Sequence, residues 1–289
     1  MSGGTLLITA CALLAFAGNS LLCRAAIGGG AIDPASFTLL RLVSGAAALF
    51  LLSGARMTAL PRGRANFLTA LPLALYAIAF AFAYVHLPAG TGALILFGAV
   101  QLTMLTSAWR AGERPRFAEW LGIALALGGL AWLVAPGVTA PPPGSAALMA
   151  LAGVAWGVYS LHGRGTTNAL GETSANFLRA VPFALLPMLG VWPRAHWTGT
   201  GVGLALASGA LASGVGYALW YRALPRLTAT RAAAVQLAVP ALAALGGVLF
   251  LGEHLSARLV LAAALILGGI GLTLARRRGA PFKGAEATR

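Results

Sequence analysis

The first charged side chain in this sequence is Arg24, and apolar runs nearly as long recur along the rest of the chain. Few architectures accommodate such runs. A helix of about 20 mostly apolar residues spans the roughly 30 Å hydrocarbon core of a bilayer. Only 9% of the 289 residues are charged and 59% are hydrophobic, with a mean hydropathy of +0.84. Soluble domains carry about 25% charge, so a soluble fold of this composition could not cover its surface with polar groups. A cytosolic enzyme, a nucleic-acid binder and a disordered chain are thereby excluded, and the fold class predicted is an all-α integral membrane protein. Cutting at Gly, Pro and Arg clusters predicts ten spans, near residues 4–24, 35–53, 67–86, 91–109, 118–135, 146–162, 174–191, 201–220, 231–250 and 257–275. The first lacks a basic n-region and is too long for a signal peptide, so it is expected to remain as a span.

The net charge of +14 is a topology signal here rather than a sign of nucleic acid. Arg56, Arg62, Arg64, Arg110, Arg114, Arg116, Arg164, Arg222, Arg226 and Arg231 fall in the even-numbered connections, and Arg276, Arg277, Arg278, Lys283 and Arg289 in the tail. The other side holds only Arg24, Arg194 and Arg258. Basic residues accumulate on the cytoplasmic side, which predicts cytoplasmic termini and a multi-pass protein of the cell's inner membrane. Trp192 and Trp197 flank an expected outer loop, where amphipathic rings favour the interface. Cys11 and Cys23 share a predicted helix about 18 Å apart, too far for a disulfide.

The chain repeats itself. Gly112-Glu113 recurs as Gly252-Glu253, Gly128-Gly129 as Gly268-Gly269, and Ser20, Leu21 and Arg24 as Ser160, Leu161 and Arg164, each 140 residues later. Leu40-Arg41 recurs as Leu178-Arg179, and Tyr84 with Leu87-Pro88 as Tyr221 with Leu224-Pro225, at slightly shorter offsets. Five spans per copy is an odd number, so the second copy enters the membrane inverted, a common transporter arrangement. The expected units are residues 1–139 (helices one to five), 145–278 (helices six to ten) and a cytoplasmic tail, 279–289. The Pro-rich stretch Ala140–Gly144 is the expected linker, unable to continue a helix.

The second copy reads Tyr217-Ala218-Leu219-Trp220-Tyr221-Arg222-Ala223-Leu224, then a helix with Gln236 and Pro240, then Leu249-Phe250-Leu251-Gly252-Glu253 and a Gly-rich last helix. This pattern resembles the EamA group of the drug/metabolite transporter superfamily over nearly the whole chain. The resemblance implies ten helices, cytoplasmic termini and export or exchange of amino acids and other small metabolites. Within it, the branch of YddG-type aromatic amino-acid exporters is the favoured comparison. The resemblance also implies that helices one, three, four, six, eight and nine line the site. Their mid-depth polar and aromatic residues, Asn19, Tyr76, Phe80, Gln101, Trp156, Tyr159, Tyr217, Trp220 and Gln236, are the candidate substrate-binding residues. Rings offer stacking surfaces and the amides offer hydrogen bonds without charge. The repeat makes Phe16 correspond to Trp156, Asn19 to Tyr159 and Phe80 to Tyr217.

Every carboxylate (Asp33, Glu113, Glu119, Glu172, Glu253 and Glu286) falls in a loop, at a span end or in the tail. Exchange of a proton for a cation normally needs one at mid-membrane, so a facilitator or exchanger driven by the substrate's own gradient is expected. Arg41 and Arg179, inside spans, read either as carboxylate anchors or as arginines that snorkel or cap carbonyls, and the structural role is the expected one. Arg24 and Arg164 read as structural, and Glu113 and Glu253 as carboxylates at the N-terminus of the helix that follows each. Pro72, Pro182, Pro187 and Pro240 are expected to interrupt helices, and Gly209 with Ser213, or Gly268 with Gly271, to permit close helix approach. No Gly-x-Ser-x-Gly frame, metal-ligand spacing or cofactor motif is present, so catalytic residues, metals and cofactors are expected to be none, and an enzyme is not expected. A channel and a lipid or lipid-linked metabolite flippase remain alternatives. The expected partners are a small-molecule substrate and the lipid bilayer; no oligomeric state is prescribed, and a monomer suffices.

Overall fold

A computed structural model describes residues 3–53, 64–110, 117–137, 140–162, 168–227 and 235–275. The Arg-rich even-numbered connections, Glu113, Arg164 and the tail from Arg276 lie wholly or largely outside these residues. The helices are α1 (Gly3–Gly28), α2 (Pro34–Ser53), α3 (Arg64–Ala83), α4 (Ala89–Arg110), α5 (Phe117–Val134), α6 (Pro143–His162) and α7 (Ala169–Val191). Then comes α8, in which an α-helix (Gly199–Ala207), a π-helix (Ser208–Val215) and a second α-helix (Gly216–Ala223) run on without a break. Last are α9 (Ala238–Leu251) and α10 (Ala257–Ala275). Six helical stretches are long and apolar enough to cross a bilayer, and the shorter helices at Leu68–Ala83, Trp120–Val134, Ala238–Leu251 and Ala257–Leu272 are also apolar. Leu7, Leu51, Leu186, Leu249 and Phe250 are exposed on the outer faces, as expected where the surrounding medium is hydrocarbon.

Several boundaries differ from expectation, each for a local reason. The Pro-rich stretch does not stay outside the helix: α6 starts at Pro143, because proline's fixed φ and missing N–H suit a first turn. Pro240 is the third residue of α9, so it helps start that helix instead of kinking it. Pro72, Pro182 and Pro187 do lie inside helices. Asp33 sits just before α2, where its Oδ1 accepts from the backbone N–H of Ala35 and Ser36.

With lipid outside, helices adhere through close packing of small residues. In order of contact, α5 packs on α10, α3 on α6 and α7, α2 on α7 and α8, α4 on α6 and α9, and α1 on α8 and α9. The α5–α10 contact is reciprocal in detail. A methyl group at Gly129 would stand 2.8 Å from Leu265 Cβ, and one at Gly269 would stand 3.0 Å from Leu125 Cβ. Gly268 and Gly271, the pair expected to mediate approach on α10, face open space instead. Gly209 and Gly45 do bring α8 and α2 nearly backbone to backbone.

The Leu-Gly-Glu element has a mechanical explanation. Gly252 ends α9 in the left-handed conformation, φ 65° and ψ 22°, which any side chain would resist. The turn carries Glu253 away from the helix after it. Its carboxylate accepts from the N–H of Ala89 at 3.0 and 2.9 Å and meets Arg24 Nε at 3.4 Å. Glu253 therefore caps α4, correcting the expectation that it serves α10, whose first turn is capped by Ser256.

Candidate functional site

The aromatic residues inside the bundle form one continuous cluster. Tyr76 lies 5.4 Å from Phe80 and 5.0 Å from Trp156, measured between ring centroids. Trp156 continues to Tyr159 at 5.4 Å and Tyr217 at 5.5 Å. Tyr217 touches Phe16, Phe177 and Tyr221, and Phe16 touches Trp220. Phe80 stacks edge-on against Tyr84 at 4.7 Å. Most of these rings are buried, but Phe16, Trp156 and Tyr221 are only half-buried, the first two well inside the helices. At 100° per residue, Trp156 is turned about 140° from the exposed Leu151 on α6, and Phe16 about 160° from the exposed Leu14 on α1. Their remaining exposure therefore faces the interior of the bundle, and the two positions correspond in the repeat.

A polar chain runs along the rings. Arg41 Nη2 donates to the Tyr76 hydroxyl at 2.9 Å, and Asn19 Nδ2 donates to the same oxygen at 3.3 Å. Ser208 Oγ donates to Asn19 Oδ1 at 2.7 Å, and Arg41 Nε donates to Ser213 Oγ at 3.4 Å. Both serines belong to the π segment of α8, whose widened turns set the two hydroxyls toward α1 and α2. The Arg41 guanidinium carbon lies 5.1 Å from the centroids of both the Tyr76 and the Phe80 rings. At the far side of the cluster, Tyr159 donates to Thr173 at 3.4 Å, and Thr173 also bonds the Tyr221 hydroxyl at 3.0 Å.

Seven of the nine predicted residues, Asn19, Tyr76, Phe80, Trp156, Tyr159, Tyr217 and Trp220, are brought together here. Gln101 is buried on α4 and Gln236 is half-buried ahead of α9, and neither shares a hydrogen bond or ring contact with the cluster. The ring contacts come from α1, α3, α6, α7 and α8, with none from α4 or α9. Sequence reasoning missed Phe177, Ser208 and Ser213, and it weighed Arg41 as a carboxylate anchor but preferred a structural role. The expected snorkelling or carbonyl-capping role for Arg41 does not hold: it is 1% exposed and bonded to a phenol and a hydroxyl. Its repeat mate Arg179 is half-buried, with Nη1 donating to Asn176 Oδ1 at 3.4 Å. The usable signal was the lack of any acid in the neighbouring spans to neutralise an arginine placed among rings.

At one end of the bundle, side chains bonded to backbone tie neighbouring helix ends together. Arg24 Nη1 donates to the carbonyls of Tyr84 and Val85, both at 3.1 Å, while pairing with Glu253. Arg258 donates to carbonyls of Leu133, Ala135 and Pro136. His196 N–H reaches Asp33 Oδ2, and Ile32 pairs with Trp197 in an isolated bridge.

Long apolar helices enclosing a polar, ring-lined interior define a multi-pass membrane transporter. A model of the EamA-like transporter family matches residues 144–275. The uncharacterized protein PA1977 of Pseudomonas aeruginosa is 54% identical over 95% of this chain and 96% of its own. The Probable terminal-alkyne amino-acid exporter of Streptantibioticus cattleyicolor is 30% identical over 86% of this chain and 88% of its own. The threonine/homoserine exporter RhtA of Escherichia coli K12 is 33% identical over 46% of each chain. A solved crystal structure, 23% identical, superposes with a TM-score of 0.66 over 96% of this chain and 100% of its own, a likeness of fold. The chain belongs to the EamA-like transporter family.

Proposed function

We propose that this protein exports or exchanges amino acids across the inner membrane by alternating access, favouring aromatic or hydrophobic side chains such as YddG-type exporters carry. The observation that carries the reading is the ring cluster, drawn from both halves of the chain, with half-buried Phe16 and Trp156 turned inward. Stacking faces beside neutral hydroxyls and an amide suit a zwitterion with an apolar side chain. The names of the relatives in Streptantibioticus and Escherichia support amino acids as the substrate class.

In this reading the apolar helices form ten spans, as two inverted five-helix units at 1–139 and 145–278, with the tail 279–289 in the cytoplasm. Two observations support the inversion. Exchanging the two units carries the larger helix contacts into one another: α3 on α6 becomes α8 on α1, and α4 on α6 becomes α9 on α1. Gly129 and Gly269 also meet each other's counterparts. The basic connections set both termini in the cytoplasm, which makes the end tied together by Arg24 and Glu253 the outer one. The carboxylates whose backbone is described, Asp33, Glu119, Glu172 and Glu253, all lie at helix ends, in keeping with transport driven by the substrate's own gradient.

Reconstitution into liposomes tests the reading by counterflow of labelled Phe, Trp, Tyr and Thr. Trp156→Ala is expected to slow counterflow of an aromatic substrate by about tenfold. Absence of counterflow for every amino acid, or a Trp156→Ala rate equal to that of the parent, rejects it. Strong uptake driven by an imposed pH gradient alone rejects the uncoupled mechanism.

A further inference from the structure

We propose that Arg41 is the carboxylate-binding residue of the transport site, so that the substrate must present a free carboxylate to be recognised. This rests on the amino-acid transport reading above and assigns it a specific anchor. Burying a guanidinium is unfavourable unless its charge and its N–H groups are met. Arg41 is 1% exposed, and no acid meets it. Among the described residues the one ion pair is Arg24–Glu253; Asp33 caps α2, and Glu172 is exposed in the first turn of α7.

Nε and Nη2 are used, on Ser213 and Tyr76, whereas Nη1 is buried with no hydrogen-bond partner. The bonds at the Tyr76 hydroxyl are both received by its oxygen, which leaves the hydroxyl hydrogen free to donate. A positive charge without an anionic partner on Arg41, its spare Nη1 and the spare hydroxyl hydrogen of Tyr76 therefore lie together, and the Tyr76 ring abuts the inward-facing Trp156. A carboxylate supplies what is missing: one negative charge and oxygens that accept from a planar N–H fork. A single cation matches a monoanion better than a phosphate dianion. The ring face of half-buried Trp156 can hold the ammonium of the same molecule, so no protein carboxylate is required for it.

The test compares acids with their amides on the full-length protein in liposomes. Unlabelled L-phenylalanine, L-phenylalaninamide, L-threonine and L-threoninamide compete against counterflow of the labelled parent amino acid. Each amide is expected to compete about 30-fold or more weakly than its acid, because its carboxamide leaves the guanidinium unpaired. In Arg41→Gln the acid is expected to fall to the level of its amide, and Arg41→Lys to restore part of the preference. Should Arg41→Gln not fold, the comparison on the parent protein decides by itself. Amides that compete within about threefold of their acids, or an Arg41→Gln protein that keeps the preference for acids, overturn the assignment and leave amino-acid transport standing. Absence of counterflow for every amino acid overturns transport and the anchor together.

Discussion

Arg24 and Glu253, separated by 229 residues in the chain, meet at 3.4 Å where α1, α4 and α9 end or begin. Each is also bonded to backbone: Arg24 to the carbonyls of Tyr84 and Val85, Glu253 to the N–H of Ala89. The pair and its backbone bonds hold four helix ends together, and Cys23, which precedes Arg24 in α1, is fully buried.

That position gives a reporter of opening. In a Cys11→Ser background Cys23 is the only thiol, since the chain has two cysteines. Glu253→Gln removes a charged acceptor worth about 1.5–3 kcal/mol. It is expected to raise labelling of Cys23 by a membrane-impermeant maleimide at least about tenfold. Labelling equal to the parent's shows that the pair does not keep this end closed.

Gly252 sets the direction of Glu253, so its backbone conformation is itself testable. Gly252→Ala places a Cβ in the left-handed region at a cost of about 1–2 kcal/mol. A lower melting temperature in detergent, by about 2–4 °C per kcal/mol, is expected, together with the same rise in Cys23 labelling. An unchanged melting temperature counts against strain at this turn.

The contact of Gly129 and Gly269 with the opposite helix predicts steric sensitivity at both. Gly129→Val pushes against Leu265 and Ile266, and Gly269→Val against Leu125 and Ala126. Each is expected to destabilise the protein by about 1–3 kcal/mol. Leu265→Ala is expected to recover part of the loss in Gly129→Val and none in Gly268→Val, since Gly268 faces open space. Thermal unfolding of the single and double variants measures this.

Two of the amides proposed from the sequence lie apart from the cluster, and their variants separate the ring site from the wider helix set. Gln101→Ala and Gln236→Ala are expected to keep counterflow within about twofold of the parent, a difference below the worth of one net hydrogen bond. Tyr76→Phe, which removes the acceptor of both Arg41 and Asn19, is expected to lose about tenfold. Competition assays in liposomes give both values.

How far the sequence could be read follows from what each signal depends on. Apolar runs are local, so most helices lie within a few residues of the expected segments, and the repeat matches positions such as Phe16 and Trp156 that both face inward. Helix starts were less legible: Pro143 and Pro240 were read as breakers, although proline breaks a helix only where an N–H is required. The partner of Glu253 could not be read at all, because a left-handed glycine turns the chain toward helices far away in sequence. Arg41 was misjudged for a related reason. Its depth in α2 is visible in sequence, but Tyr76, Ser213 and the two rings beside it come from helices that only the packing brings together. Gln101 and Gln236 were chosen by depth alone, which says nothing of the face a side chain occupies.

Leu40-Arg41 and Leu178-Arg179 match in sequence, yet Arg41 is sealed inside and Arg179 is only half-buried. The framework is nearly symmetric and its interior charge is not. If Arg41 anchors the substrate carboxylate as proposed, a substrate held there has only one way round to sit.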